Sequence, residues 1–289
     1  MMEKPWKNWK LPVRFLFVIS ILLLLGGCFP KRTEETIENP GIKVTFFDVG
    51  KGDAILIETV KERMLIDTGY DDTAGVILDY LEKQQISYVD YLVLTHFDKD
   101  HVGGADWILK GVEVGEVFQP NYESDSRQFQ EYETVIQEKE QNPVIVTETL
   151  DLSLGDGDVK CLIYPPQQEE YKEGDNDFSL VLSLTYGSQR FLFAGDCEKA
   201  RLKELLEQSE FGLRHDLLKV PHHGREEKNS EEFLEAVAPF VAIITCSEEK
   251  PAEEEVIKIL EDLGTEIYLT SDGTITCTSD GNTLQVFQR

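Results

Sequence analysis

Residues Thr95–Gly104 read THFDKDHVGG and follow directly on the apolar run Tyr91-Leu92-Val93-Leu94. Within six positions this stretch places His96, Asp98, Asp100 and His101 in the order His-x-Asp-x-Asp-His. An apolar strand that ends in alternating imidazole and carboxylate groups offers several ligand atoms on one turn, the way hydrolytic metal sites are commonly assembled. The chain has five histidines, and four of them fall in this segment and in a second short one, Pro221-His222-His223-Gly224. Surface histidines do not gather in this way by chance. His215 stands apart, ahead of an apolar run, and reads as an ordinary surface histidine.

Outward from that stretch, apolar alternation predicts strands at Lys43–Val49, Ala54–Glu58, Met64–Asp67 and Tyr88–Leu94, with a helix over Ala74–Lys83. Downstream, helical spacing recurs at Ala105–Leu109, Gln128–Lys139, Lys199–Gln208, Glu231–Val237 and Glu253–Leu263. Further strands are predicted at Val159–Tyr164, Leu180–Tyr186, Arg190–Ala194, Leu217–Val220, Val241–Thr245 and Glu266–Leu269, with a terminal hairpin carrying two Ser-Asp-Gly turns. A meander followed by alternating strands and helices, once in each half, predicts an α/β fold. Its form is an αββα sandwich of two mixed β-sheets with helices on the outer faces.

The N-terminus reads differently. Lys4, Lys7, Lys10 and Arg14 precede a short apolar stretch, Phe15–Leu25, which ends at Gly26-Gly27-Cys28. This resembles a bacterial lipoprotein signal peptide over residues 1–27, with Cys28 as the lipidated residue. A retained N-terminal anchor is the other reading, although the stretch is short of the roughly 20 residues a spanning helix needs. Both put the remainder outside the cytoplasmic membrane. Residues 28–40, polar and closed by Pro40, suit a lipid-anchored linker, and residues 41–289 suffice for one large hydrolase-sized domain. Cys161, Cys197, Cys246 and Cys277 match no zinc-ribbon spacing, and both disulfides and buried thiols fit them. Strand alternation turns Cys197 away from its neighbour Asp196.

Five further motifs line up with THFDKDHVGG at predicted strand ends: FDVGKGDA (Phe47–Ala54), LIDTG (Leu65–Gly69), NDFSLVL (Asn176–Leu182), FAGD (Phe193–Asp196) and LKVPHHG (Leu218–Gly224). Together they resemble the metallo-β-lactamase superfamily. Within it they most resemble the extracellular hydrolase (nuclease) domain of the ComEC competence proteins and its free-standing relatives. The resemblance implies that His96, Asp98, Asp100, His101 and Asp196 hold two divalent ions, Zn²⁺ or Mn²⁺, with Asp196 bridging and Asp100 and Asp196 also catalytic. One of His222 and His223 closes the second site while the other meets substrate; spacing leaves open which. Asp48, Asp53 and Asp67 are expected to orient ligands rather than ligate. Asn176 or Asp177 occupies the region where the commonest family pattern has another histidine. Arg225 stands where a small residue is usual, and Lys250-Pro251 where His-Pro is. An Asp at position 98 in place of the usual His makes the first site oxygen-rich, which favours Mn²⁺.

The expected activity is extracytoplasmic hydrolysis of a phosphodiester, DNA among the candidates, by metal-activated water. Alternatives are a phosphodiesterase for a small or cell-wall substrate such as teichoic-acid phosphocholine, and a non-catalytic metal-binding surface lipoprotein. Expected partners are the membrane, through Cys28, and a DNA-uptake channel supplied by another protein. Charge pulls the other way. The chain carries −27, and because residues 1–27 hold four basic and one acidic side chain, the remainder carries −30. Such a surface repels polyanions at long range and gives no general nucleic-acid footprint. Lys51, Lys99, Lys219 and Arg225 lie near the motifs and can draw anions locally, solvated lysines being the default.

Overall fold

The computed structural model describes residues 40–172, 174–208 and 212–289 together with Ile37. Cys28, the signal-peptide-like segment and most of the expected linker lie outside the described residues. No helix among the described residues is long and apolar enough to cross a membrane.

Two sheets form the molecule. In spatial order the first holds β15 (Leu284–Gln288), β14 (Ile275–Ser279), β1 (Ile42–Phe46), β2 (Ile55–Thr59), β3 (Arg63–Ile66), β4 (Tyr88–Val93), β5 (Glu113–Gln119) and β6 (Val144–Ile145). It is antiparallel from β15 to β3 and parallel from β3 to β6. The second holds β13 (Glu266–Leu269), β12 (Val241–Ile244), β11 (Leu217–Lys219), β10 (Gln189–Phe193), β9 (Val181–Tyr186), β8 (Val159–Tyr164) and β7 (Leu150–Leu154). Its β13–β10 half is parallel and its β10–β7 half antiparallel. Both sheets are mixed.

Alternation sorts side chains into three layers. Ile42, Val44, Phe46, Ile55, Ile57, Met64 and Ile66 face inward and meet Leu182, Leu184, Phe191 and Phe193 of the second sheet. The rings of Phe46 and Phe193 stack with centroids 6.1 Å apart across that interface. Residues of opposite parity, such as Leu56, Leu65 and Leu92, pack beneath α1 (Ala74–Lys83), α2 (Ala105–Gly111) and α3 (Arg127–Glu138). Leu192, Leu218 and Ala242 do the same under α4 (Lys199–Glu207), α5 (Ser230–Val237) and α6 (Glu254–Asp262). Truncating a ring such as Phe193 in the doubly covered inner layer costs about 3–5 kcal/mol.

Three strands escaped the sequence pattern. In β5 the run Glu113-Val-Gly-Glu-Val-Phe-Gln is interrupted by Gly115, which packing requires. A Cβ there would lie 2.6 Å from both the Asp90 carbonyl and the Tyr88 hydroxyl of neighbouring β4. β6 is two exposed residues long, and β7, Leu150–Leu154, does alternate apolar and polar residues but is only five residues long and mostly half-buried or exposed. The four domain cysteines are all buried and unbridged.

His215 is not a surface residue. It is 2% exposed. Its Nδ1 donates to the Leu213 carbonyl and its Nε2 accepts from the Ser183 hydroxyl, each at 2.8 Å, which pins the approach to β11 against β9. Burial pushes its pKa down to about 4. The neutral imidazole is therefore favoured by folding: its stabilisation is whole above the unfolded value of about 6.5 and is lost as pH falls toward 4. That difference amounts to about 3 kcal/mol. Urea unfolding at pH 7 and pH 4 should show that much less pH dependence in His215→Gln than in the parent. Equal slopes would place the imidazole in water.

Candidate metal centre

Every motif lies at one edge of the sandwich. Asp48–Asp53 follow β1, Asp67–Gly69 follow β3, Thr95–Gly104 follow β4, Gly195–Asp196 follow β10, Pro221–Gly224 follow β11, and Thr245 follows β12. Ligand sites form at the carboxyl ends of parallel strands because adjacent loops diverge there. Local geometry is tight. A Cβ on Gly103 would sit 2.2 Å from the Lys99 carbonyl, so only glycine lets the THFDKDHVGG loop fold back before α2. Asp67, His222 and His223 adopt left-handed backbone, with φ of 55°, 46° and 56°. Such strain in non-glycine residues persists where surrounding contacts over-determine the conformation.

Those contacts are dense. His223 Nε2 lies 2.8 Å from Asp196 Oδ2, and His101 Nε2 lies 3.3 Å from the same oxygen. The two Nε2 atoms are 3.4 Å apart, and Asp100 Oδ2 is 3.6 Å from that of His223. Four side chains from three loops thus converge on one point. Behind them Asp67 Oδ2 faces His101 Nδ1 at 2.8 Å and also accepts the Thr95 hydroxyl at 2.7 Å. The Thr245 carbonyl accepts from His223 Nδ1 at 2.9 Å. Both imidazoles are oriented by the nitrogen that does not face the cluster, which fixes the tautomer a metal ligand needs.

Asp53 lies close to the same atoms, and its carboxylate falls within ligating range of the His101, Asp196 and His223 set. Both its oxygens are engaged elsewhere. Oδ1 accepts from Thr245 Oγ1 at 2.6 Å and Oδ2 meets Lys219 Nζ at 2.5 Å. The hydrogen bonding makes it a support for the ligands. Lys219, expected to be solvated, is fully buried; its ammonium also reaches the Gly195 carbonyl at 2.9 Å and Asp196 Oδ1 at 3.4 Å. The signal was legible, since a lysine inside Leu217-Leu218-Lys219-Val220 has no solvated face to turn to.

His96 occupies a second position. Its ring centroid is 4.1 Å from that of His101, and its Nδ1 lies 3.1 Å from Thr95 Oγ1. Its Nε2 is buried with no hydrogen-bond partner. Asp98 is half-buried beside it, and its main-chain carbonyl accepts from the His101 and Val102 amides. His222 diverges from His223. Its Nδ1 is 3.4 Å from Glu198 Oε1 and 3.4 Å from Glu227 Oε1, and its Nε2 is 3.4 Å from Asn176 Nδ2. Asn176 therefore stands at the cluster's rim. Asp177 does not: its Oδ1 accepts the Glu198 and Arg201 amides at 2.9 and 3.0 Å, capping the start of α4. Asp48 is also away from the cluster, exposed, with Oδ1 accepting the Gly50 amide of its own turn. Arg225 is exposed, and Lys51 lies 3.1 Å from Asp100. Sequence reasoning gave no role to Thr245, Glu198 or Glu227, whose contributions arise from distant loops.

Charge is balanced within the cluster. For Asp196, burial alone would raise the pKa, but His223, His101 and Lys219 outweigh it and hold the carboxyl well below its usual range. Asp53 is lowered in the same way, by Lys219, His101 and His223 against burial. Asp100, also opposed by burial, is brought to about 2 chiefly by His101 and Lys51. Burial favours neutral His101, yet Asp196, Asp67 and Asp53 raise it well above normal. His96 and His222, dominated by burial, fall to about 4. Ionised carboxylates, a neutral His96 with an unpartnered buried nitrogen, and donor separations near 3 Å suit divalent cations. The donor set fits.

Comparison with known proteins agrees. The Metallo-beta-lactamase superfamily pattern matches residues 47–246. The chain is 25% identical to ComE operon protein 3 of Bacillus subtilis (strain 168), covering 86% of this chain and 36% of that protein. It is 30% identical to Competence protein ComA of Neisseria gonorrhoeae, covering 77% of this chain and 29% of that one. It thus spans about a third of the length of these relatives. Among solved structures, CmlA, a diiron β-hydroxylase from Streptomyces venezuelae, superposes with a TM-score of 0.51 at 12% identity, covering 86% of this chain and 54% of that one; this shows the fold alone. With the two mixed sheets, the carboxyl-edge cluster and the motif order all in place, the chain belongs to the metallo-β-lactamase superfamily.

Proposed function

We propose that the protein is a phosphodiesterase with a dinuclear metal centre, acting outside the cytoplasmic membrane from a lipid anchor at Cys28. The observation that carries the reading is the donor set at one point: Asp100, Asp196, His101 and His223, with the unpartnered His96 nitrogen beside them. Carboxylate-rich sites suit hard cations and phosphoryl oxygens. Zinc or manganese held there would polarise a phosphoryl oxygen and lower the pKa of a nearby water. The rest belongs to the chain. Asp67 and the Thr245 carbonyl hold His101 and His223 in the ligating tautomer, and Lys219 offsets the charge of Asp53 and Asp196. Asn176 and His222 stand at the rim, where a leaving group would pass.

The resemblance of the motif set to the hydrolase domain of the ComEC competence proteins supports DNA as a substrate, and a role in uptake would need a channel from another protein. The charge of −27 favours a second reading, a small or cell-wall diester. One experiment separates these readings. The domain loaded with Mn²⁺ or Zn²⁺ is assayed on single-stranded DNA, a chromogenic diester, a phosphocholine ester and a cephalosporin. Cleavage of DNA and the chromogenic diester is expected. Activity on the phosphocholine ester alone moves the function to the cell wall. Lactam cleavage alone, or full metal occupancy with no turnover, ends the phosphodiesterase reading. For the anchor, Cys28→Ser is expected to block processing and acyl labelling; a variant still labelled at this position's segment refutes it.

A further inference from the structure

Three cations that sequence alone scatters across the chain meet at one cavity. A cleft of about 270 Å³ is lined by Lys51, His223, Arg225, Lys250, Pro251 and Glu253. His223 belongs to the metal cluster, and Lys51 sits 3.1 Å from Asp100, so the cleft opens from the centre itself. Its other cations, Arg225 and Lys250, lie on two loops that follow β11 and β12.

The cleft is built. The Glu253 amide donates to the Gly224 carbonyl at 2.9 Å, and the Glu226 amide donates to Glu253 Oε2 at 2.8 Å. These bonds staple the loop carrying Arg225 to the loop carrying Lys250. A Cβ on Gly224 would approach the Ala252 Cβ to 2.8 Å, which shows how closely the walls meet. The Arg225 amide is bonded to the His222 carbonyl at 3.0 Å, so its backbone is anchored beside the cluster. One carboxylate, that of Glu253, lines the same space, and one of its oxygens is engaged by the Glu226 amide.

Three basic side chains facing one acidic one is the reverse of the chain as a whole, which has 28 basic and 55 acidic residues. A lone exposed ion pair contributes little. Two or more cations on a stapled wall, one a guanidinium able to grip phosphate oxygens bidentately, make a specific anion site. We infer that this cleft is a subsite for a second phosphate of the substrate, next to the one at the metal centre, and that the enzyme acts on polyphosphodiesters. The inference rests on the phosphodiesterase reading and names its substrate class. It also shows how an acidic protein can hold a polyanion: long-range repulsion is offset only where the chain is already in the cleft.

The test uses Arg225→Ala with Lys250→Ala, and Lys250→Gln alone as a milder variant; both positions are exposed, and unchanged melting temperatures check the fold. Binding of a fluorescent tetranucleotide and of poly(glycerol phosphate) is measured on the metal-stripped full chain, where no hydrolysis occurs. The double variant is expected to lose about tenfold in affinity for at least one polymer, and Lys250→Gln a smaller part. Which polymer responds identifies the source of the phosphates. In the metal-loaded protein, KM for that polymer should rise similarly, with kcat and KM for a minimal chromogenic diester unchanged. Lost binding without hydrolysis of any diester keeps the subsite and discards the phosphodiesterase reading. Unchanged polymer affinity and KM in both variants overturn the subsite.

Discussion

Asp196→Ala is expected to lower metal content and turnover together, with kcat falling by about three orders of magnitude or more. Asp196 is the carboxylate shared by His101 and His223 and also faces Lys219. Asp53 also approaches all three, but it meets the two imidazoles at Nδ1, whereas Asp196 meets both at Nε2. Deleting Asp196 removes the carboxylate shared by the two Nε2 atoms, so cation affinity falls along with the geometry. Asp196→Asn keeps the shape but removes the charge, and should lose metal nearly as severely. Plasma mass spectrometry of the purified variants, beside turnover on the chromogenic diester, checks both effects. Parental metal content with parental activity would remove Asp196 from the centre.

Lys219→Met should be the most destabilising single change near the site, by about 3–5 kcal/mol. The ammonium is fully buried, and its removal takes away the lysine counter-charge that Asp53 and Asp196 share, leaving only the imidazoles of His101 and His223 against two buried carboxylates. The attraction within a buried pair only offsets the cost of desolvating both members, so the damage comes from the partner left behind. A drop of about 10 °C in melting temperature is expected for a domain of this size. Adding Asp53→Leu to Lys219→Met should recover part of it. Measuring the metal-free protein keeps this effect separate from cation binding. An unchanged melting temperature would mean that the lysine reaches solvent.

How much of this was legible from the sequence depends on the range of the interaction. α1 and β8 coincide with the segments read from periodicity, because one buried face imposes alternation on a strand and helical spacing on a helix. β5 was missed because its glycine answers to a neighbouring strand, a contact with no local signature. His215 was misread for a related reason, and Lys219 despite the apolar run around it. Their burial is made tolerable by Asp53, Asp196, Ser183 and Leu213, residues from 2 to 166 positions away.

The sequence by itself determined the fold class and the ligand-bearing loops, since strand periodicity and the order of motifs are local properties of the chain. Tertiary structure alone decided which atoms meet. It put His223 rather than His222 on Asp196, engaged both oxygens of Asp53, turned Asp177 to a helix cap, and left Asp48 in its own turn. It also brought Lys51, Arg225 and Lys250 to one cleft. Ligation and charge pairing require separations of a few ångströms. Residues from loops far apart in the chain reach them only when two sheets stack and present their carboxyl ends along a common edge.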